Sequence, residues 1–350
     1  MFRLEIEKKI AQKVQTVAHG DIISEETIFT LADVARRANV SKMTVSRVIN
    51  HPEQVTDELK KLVFAAMHEL DYRPNVAAKA LAKNRTQIVK FFILEEISTV
   101  EPYYTNLLLG ISLALSRHQY SLQLVANNNF DLGVCDGYII TGMRSSDYEW
   151  ISRIEKPVIL FGENLHGYDF VDTNNKEGGM LSTRYALSLG YDKVVFVGID
   201  LKEAFEYSRE RGYLQVMQES LREPEIVRVE NHSHKSQEML QKNWEKYPKN
   251  TAFVCASDRI AVGIERAIQK KGASIPDDYG IIGYDGIFLD QVVSPRLTTI
   301  RQDVAKLGEI CGEMLLNKIE QKGKKQGFKL LDPMLVKRET TRREGGIEKC

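Results

Sequence analysis

From about Gln87 to Thr341 the chain alternates short apolar runs with longer amphipathic stretches, and this alternation constrains its fold more than any other feature. The runs are Val89–Leu94, Leu122–Ala126, Gly137–Ile140, Val158–Phe161, Val194–Val197, Ile226–Val229, Phe253–Ala256 and Ile281–Gly283. Helical periodicity fills Leu107–Arg117, Gly178–Leu189, Ala204–Leu221, Lys235–Lys246 and Ala261–Lys271. Strands that alternate with helices form parallel sheets covered on both faces. A stretch of about 250 residues exceeds one comfortable doubly wound core, so two lobes are expected, with a ligand held between them at strand carboxyl ends.

The chain before this point has another character. Forty-eight basic and 48 acidic residues cancel over the whole chain. Between Ile28 and Arg85, however, ten Lys and Arg face six Asp and Glu, a net +4 that the remainder balances at −4. A small polyanion-binding head on a neutral-to-acidic body shows such an asymmetry.

Helical patterns account for this head. Thr30 can cap a helix whose Leu31, Val34, Ala35 and Ala38 share one face. Asn39 tolerates the left-handed backbone of a tight turn, Val40 plugs it, and Ser41 can cap a second helix from Lys42 to about Asn50. Two short helices so joined describe a helix-turn-helix. In the second, Val45, Val48 and Ile49 face inward, leaving Lys42, Met43, Ser46, Arg47 and Asn50 outward, a face suited to a DNA groove. The bland reading of a lone helix of this kind is a solvated face; its neighbours argue otherwise. A third helix begins at Thr56 with Leu59, Leu62, Val63, Ala66, Met67 and Leu70 as its apolar stripe. After the breaker Asp71–Asn75, the alanine-rich Val76–Ala82 makes barely two turns, marginal in water and suited to ordering on DNA.

The run from Thr30 to Ala82 resembles the DNA-binding head and hinge of the lactose/galactose repressor (LacI/GalR) family. Its elements D-V-A, V-S-x-x-T-V-S-R-V-x-N and Y-x-P-N-x-x-A-x-x-L are present and in register, with Asn39 where the family usually has glycine. The resemblance implies that Lys42 and Met43 choose the operator, that Thr44, Ser46, Arg47 and Asn50 hold the helix in the major groove, and that Leu81 wedges into the minor groove. With Thr30, Ser41, Asn75, Ala78 and the phosphate-facing Lys83, these are the implied DNA-binding residues; Arg85 is read as a further phosphate contact.

The resemblance continues to Thr341 through Pro102–Ile111, Arg209–Tyr213, Ala256–Gly263, Ile275–Asp285 and Ser294–Ile300. It implies a small all-α helix-turn-helix head on an α/β periplasmic-binding-protein-like body of two parallel-sheet lobes. The implied division is an N-terminal extension (residues 1–27), a helix-turn-helix domain (28–73), a hinge (74–86), an effector-binding and dimerisation domain (87–341) and a tail (342–350). One lobe would hold residues 87–172 and 287–326, the other 173–286 and 327–341, with crossovers near Asp172–Asn174, Asp285–Ile287 and Gln326–Lys329. The effector residues carried over are Tyr103, Tyr104, Arg209, Asp258 and Asp285. Their chemistry does not single out a ligand: carboxylates accept hydroxyl hydrogens, arginine's fork of donors can hold a sugar hydroxyl, a carboxylate or a phosphate, and tyrosine can stack on a sugar or a base; a sugar or sugar derivative is the expected effector.

Two departures stand out. Nine residues separate Ala126 from Asp136, where the family has room for a helix, so the first lobe reads as trimmed. Residues 1–27 read as a charged tail or a start-codon artefact, although Leu4, Ile6, Ile10, Val14 and Val17 could form a helical stripe.

Other function classes find little support. Neither a phosphate-binding glycine loop nor a nucleophile elbow nor HExxH is found, and His232 and His234 sit in a polar loop without further ligands, so neither catalysis nor a metal is expected. Cys135, Cys255, Cys311 and Cys350 form no CxxC pair and read as reduced thiols, three of them buried. The charged start and the lack of a long apolar run suggest a cytoplasmic protein with no membrane partner. The expectation is a ligand-responsive transcriptional regulator, a repressor of a carbohydrate-utilisation operon, without a resident cofactor, binding a pseudo-palindromic operator as a homodimer. Two alternatives stay open: a global carbon-catabolite regulator that needs a phosphocarrier protein partner, and a solute-binding or sugar-processing protein with a vestigial head.

Overall fold

A computed structural model describes residues 29–72, 85–95, 102–125 and 133–343. They divide into two units, a head within residues 1–83 and a body within residues 84–350. The hinge residues Asn75, Ala78, Leu81 and Lys83, and the extension 1–27, lie outside the described residues.

The head comprises α1 (Leu31–Arg37), α2 (Lys42–Asn50) and α3 (Asp57–Glu69), with a 3-10 turn at Pro52–Gln54. The Asp33 carboxylate accepts the Thr30 backbone N–H at 2.9 Å and its hydroxyl at 2.7 Å, which fixes the start of α1. Asn39 takes φ 51°, a left-handed turn that Asn enters at little cost. Val34, Ala35, Val45, Val48, Val63 and Ala66 close a small core, and an Arg37–Glu69 ion pair ties α1 to α3. Leu62 departs from its expected place on the inward stripe. It is 53% exposed, because Val63 and Ala66 take the centre of that face and leave Leu62 beyond its margin.

The body contains two six-stranded sheets. The first is built from β1 (Ile88–Ile93), β2 (Ser121–Val125), β3 (Gly137–Thr141), β4 (Val158–Phe161), β5 (Phe170–Thr173) and β11 (Phe328–Leu331), in the order β11-β5-β4-β3-β1-β2, all parallel. Helices α4 (Pro102–Arg117) and α11 (Val304–Glu320) cover one face, burying Val89, Phe91, Leu107, Ile111, Cys311 and Leu315, while the short α5 (Tyr148–Ile151) packs on the other. The second sheet holds β6 (Lys193–Ile199), β7 (Glu225–Val229), β8 (Thr251–Cys255), β9 (Tyr279–Asp285), β10 (Thr298–Arg301) and β12 (Met334–Val336), in the order β12-β10-β9-β8-β6-β7 with β12 antiparallel. With it go α6 (Asn175–Ser188), α7 (Ala204–Glu219), α8 (Ser233–Lys242), α9 (Asp258–Lys270) and α10 (Leu289–Val292).

Two crossovers differ from expectation. The chain does not leave the second sheet at Asp285–Ile287: β10 pairs in parallel with β9, so the return falls after Arg301 and residues 287–301 belong to the second lobe. The last crossing is not at Gln326–Lys329 either. There β11 pairs with β5, so residues 328–331 belong to the first lobe and the crossing falls at Asp332–Pro333. Both differences come from strands of only four residues, one with a single apolar residue (Thr298–Arg301) and one interrupted by Lys329 (Phe328–Leu331), which periodicity does not mark. Side chains tie the three crossings together: Thr173 Oγ1 donates to Gln302 Oε1 at 2.6 Å and Asn174 Nδ2 to Asp332 Oδ1 at 2.8 Å.

Candidate functional site

On the head, the local chemistry of α2 sets its presentation. Ser41 caps the helix by accepting the Thr44 N–H at 3.0 Å, and the two hydroxyls lie 2.9 Å apart. Behind it Val45 and Val48 are fully buried; in front Lys42, Met43 and Arg47 are exposed, with Thr44 and Ser46 half-buried on the flanks. Thr30 is committed to capping α1 through Asp33. Arg85 stands in the body, where its guanidinium donates to the Ile319 carbonyl at 2.9 Å.

In the body a cavity of about 290 Å³ opens between the lobes, at the carboxyl ends of β3, β4, β5, β6 and β9. Of the five effector residues expected, Tyr103, Tyr104, Arg209 and Asp285 line it. The two tyrosine rings meet edge to face with centroids 5.5 Å apart, and Tyr103 also packs on Phe161. Burial, then the charges of Asp172 and Asp285, pushes the Tyr103 phenol well above its usual range, so it remains an O–H donor.

Arg209 is nearly buried and already held. Its Nε donates to Asn175 Oδ1 at 2.9 Å, Nη1 donates to the Ala256 carbonyl at 2.6 Å, and its Cζ lies 3.7 Å from the Tyr284 ring centre. Asp285 ends β9 at φ 123°, a strained backbone that the surrounding contacts enforce, and its carboxylate accepts Gln302 Nε2 at 2.9 Å. Burial raises its pKa to about 6, against the pull of Arg209.

Asp258 is absent from the cavity wall. Its carboxylate turns back into the second lobe, where it accepts Thr299 Oγ1 at 2.6 Å and the Gly286 N–H at 2.9 Å with 2% of the residue exposed. Burial and the neighbouring Asp285 charge hold this carboxyl well above the usual range. It braces the strand end that carries Asp285.

Several lining residues escape the sequence reading. Asp172, at the end of β5, accepts the Glu163 N–H at 2.8 Å and Asn175 Nδ2 at 3.1 Å, and burial raises it to about 6. Glu95 and Arg144 come from the first lobe, Glu203, Phe205 and Arg259 from the second. A carboxylate closing the run Phe170-Val-Asp-Thr, where a strand could end at a cleft, was the one signal available for Asp172. Among the described residues no cluster could hold a metal ion, and no helix is long and apolar enough to cross a membrane. Cys135, Cys255 and Cys311 are buried free thiols.

Comparison with known proteins covers the same two units. A family model described as bacterial regulatory proteins, lacI family, matches residues 30–75, and one for a periplasmic binding protein-like domain matches residues 183–341. An uncharacterized HTH-type transcriptional regulator of Bacillus subtilis (strain 168), YvdE, is 53% identical over 313 residues, covering 89% of this chain and 99% of that protein. The ribose operon repressor of Haemophilus influenzae is 29% identical over 330 residues, covering 89% of this chain and 98% of that protein. Among solved structures, a complex of the transcriptional regulator CelR with cellobiose matches with a TM-score of 0.67 at 22% identity, covering 89% of this chain and 99% of that one.

Proposed function

The chain belongs to the lacI family of bacterial regulatory proteins, and from that premise we propose that it is a repressor of a carbohydrate-utilisation operon whose operator affinity answers to a sugar or sugar derivative in the interlobe cleft. The observation that carries the effector reading is the wall of that cleft. Asp172 and Asp285 present hydrogen-bond acceptors beside the aromatic faces of Tyr103, Tyr104, Phe161 and Phe205, the pairing that a pyranose with polar edges and apolar faces requires. The relatives named for ribose and cellobiose agree with this class.

The mechanism follows from the two units. Two heads on a homodimer would each lay α2 in the major groove of one half-site, with Lys42, Met43 and Arg47 toward the bases and Ser41, Thr44, Ser46 and Asn50 securing the helix. The hinge residues Asn75, Ala78 and Leu81 would meet at the operator centre, with Lys83 on phosphate. An effector that binds one arrangement of the lobes better than another shifts the balance between operator-competent and operator-incompetent states by its difference in affinity. The domain division that goes with this places the hinge at residues 74–86 and the effector-binding and dimerisation domain from about residue 87, with lobe boundaries at Asn174, Gln302 and Asp332.

A thermal-shift screen over sugars, sugar acids, sugar phosphates and purines, followed by gel shift with each hit, tests this reading. A stabilising sugar that changes operator affinity is the expected result. A protein stabilised by purines alone, or a hit with no effect on DNA binding, would replace it. Operator binding by the purified chain with no added protein sets aside the need for a phosphocarrier.

A further inference from the structure

Charges at the mouth of the cleft alternate across it. The first lobe contributes Glu95 and Arg144, the second Glu203 and Arg259. Arg144 Nη2 lies 3.5 Å from Glu95 Oε2 in its own lobe, and Nη1 lies 4.0 Å from Glu203 Oε1 in the other. Glu95 in turn feels Arg259 from across the gap: burial raises its carboxyl, and the charges of Arg144 and Arg259 draw it back. Each lobe thus offers one acid and one base to the opposite pair.

Resting on the effector reading above, we infer that Arg144 is a specificity-determining residue: held between Glu95 of its own lobe and Glu203 of the other, it is committed to a clasp between the lobes rather than to an anion, so the cleft favours an uncharged polyhydroxylated ligand over its anionic esters. The count of charges supports this. The cavity wall carries five carboxylates, Glu95, Glu163, Asp172, Glu203 and Asp285, against three arginines. Arg209 is spent on Asn175, Ala256 and the Tyr284 face, and Arg144 on two glutamates. A phosphate monoester, carrying about −1.5 to −2, would have to displace these partners and approach Asp172 and Asp285. Sugar hydroxyls can donate to those carboxylates with no such conflict. The clasp also draws the lobes together before a ligand enters, so a neutral effector completes a closure that the charges have begun.

The test compares the full-length protein with matched probes: glucose, ribose, cellobiose and maltose against their terminal phosphate esters, read by thermal shift and by operator gel shift. A neutral probe is expected to bind, and its ester to bind about 100-fold more weakly, in line with the cost of juxtaposed like charges. In the Glu95→Gln/Glu203→Gln variant, which removes two negative charges and frees Arg144, the ratio should narrow about tenfold or more. An ester that binds the wild type as well as its parent sugar overturns the inference while leaving a sugar-responsive regulator in place. A ratio unchanged in a folded double variant overturns the role of the clasp; if the variant does not fold, the wild-type ratio decides alone. Should no sugar of either class bind, the effector reading itself fails and this inference with it.

Discussion

Arg47 stands exposed on α2, opposite the buried Val45 and Val48, where its guanidinium can meet a guanine edge with two parallel donors. Arg47→Ala is expected to weaken operator binding by about 1–3 kcal/mol and to relax base choice at one position, read by gel shift on the operator and its single-base variants. Equal weakening on every sequence would make Arg47 a phosphate contact instead. Glu206 offers a different test. It is 1% exposed, accepts the Ile199 N–H at 2.9 Å through Oε1 and has no partner on Oε2. Burial raises its pKa from 4.5 to about 7. A carboxyl whose folded-state pKa is raised takes up its proton first in the folded chain, so its contribution to stability is full below about 4.5 and is lost as pH rises through about 7. Glu206→Gln should therefore be more stable than the wild type by up to about 3 kcal/mol at pH 8, with the difference fading as pH falls and gone below about pH 4.5, measured by urea unfolding. A constant difference at both pH values would show that the amide alters packing rather than charge. The outward residues of α2 were legible because an exposed face on a capped amphipathic helix is a local pattern. The sequence context of Asp258 does not reveal that Thr299, 41 residues away, donates a hydrogen bond to its carboxylate and turns it from the cavity wall.

At the scale of elements, α4 and α11 show how packing hides a helix from its own sequence. A Cβ on Gly110 would stand 1.9 Å from the Ala305 carbonyl oxygen, and one on Gly308 would stand 2.5 Å from that of Leu107. The backbones therefore touch, and only glycine fits between them. Gly308→Ala is expected to destabilise the body by roughly 1–3 kcal/mol, seen as a lower urea midpoint, since neither backbone can yield without opening the core around Leu107 and Cys311. An unchanged midpoint would mean that the two helices slide apart at little cost. The same contact explains why Val304–Glu320 escapes a search for amphipathic stretches. Buried positions from Val304 to Ile319 include Gly308, Gly312, Met314, Leu315 and Leu316, which blur the contrast between an apolar and a polar face. Strands β5, β10, β11 and β12 escape for a related reason. They are three or four residues long, and β11 and β12 lie at sheet edges with exposed side chains.

For the whole molecule, ligand and stability are linked. A sugar that binds the folded cleft, supplied at about 100 times its Kd, should stabilise the protein against urea by about 2.7 kcal/mol. Binding seen by calorimetry without that stabilisation would mean that the ligand also binds unfolded chain, or binds outside the cleft. The cleft exists because the chain crosses between its sheets three times, at Asn174, after Arg301 and at Asp332–Pro333, and so brings the carboxyl ends of both sheets to one gap. By itself the sequence determined the class of each unit, the helix-turn-helix with its left-handed Asn39 and the parallel α/β body, together with the motifs of the family. Those features are written in spacings of two to four residues and in short-range capping and turn chemistry. Only the tertiary structure decided where the crossings fall, that Asp172, Glu95, Arg144 and Glu203 converge, and that Asp258 faces away. Such meetings join residues far apart along the chain, and they follow from how the sheets and helices pack rather than from any local pattern.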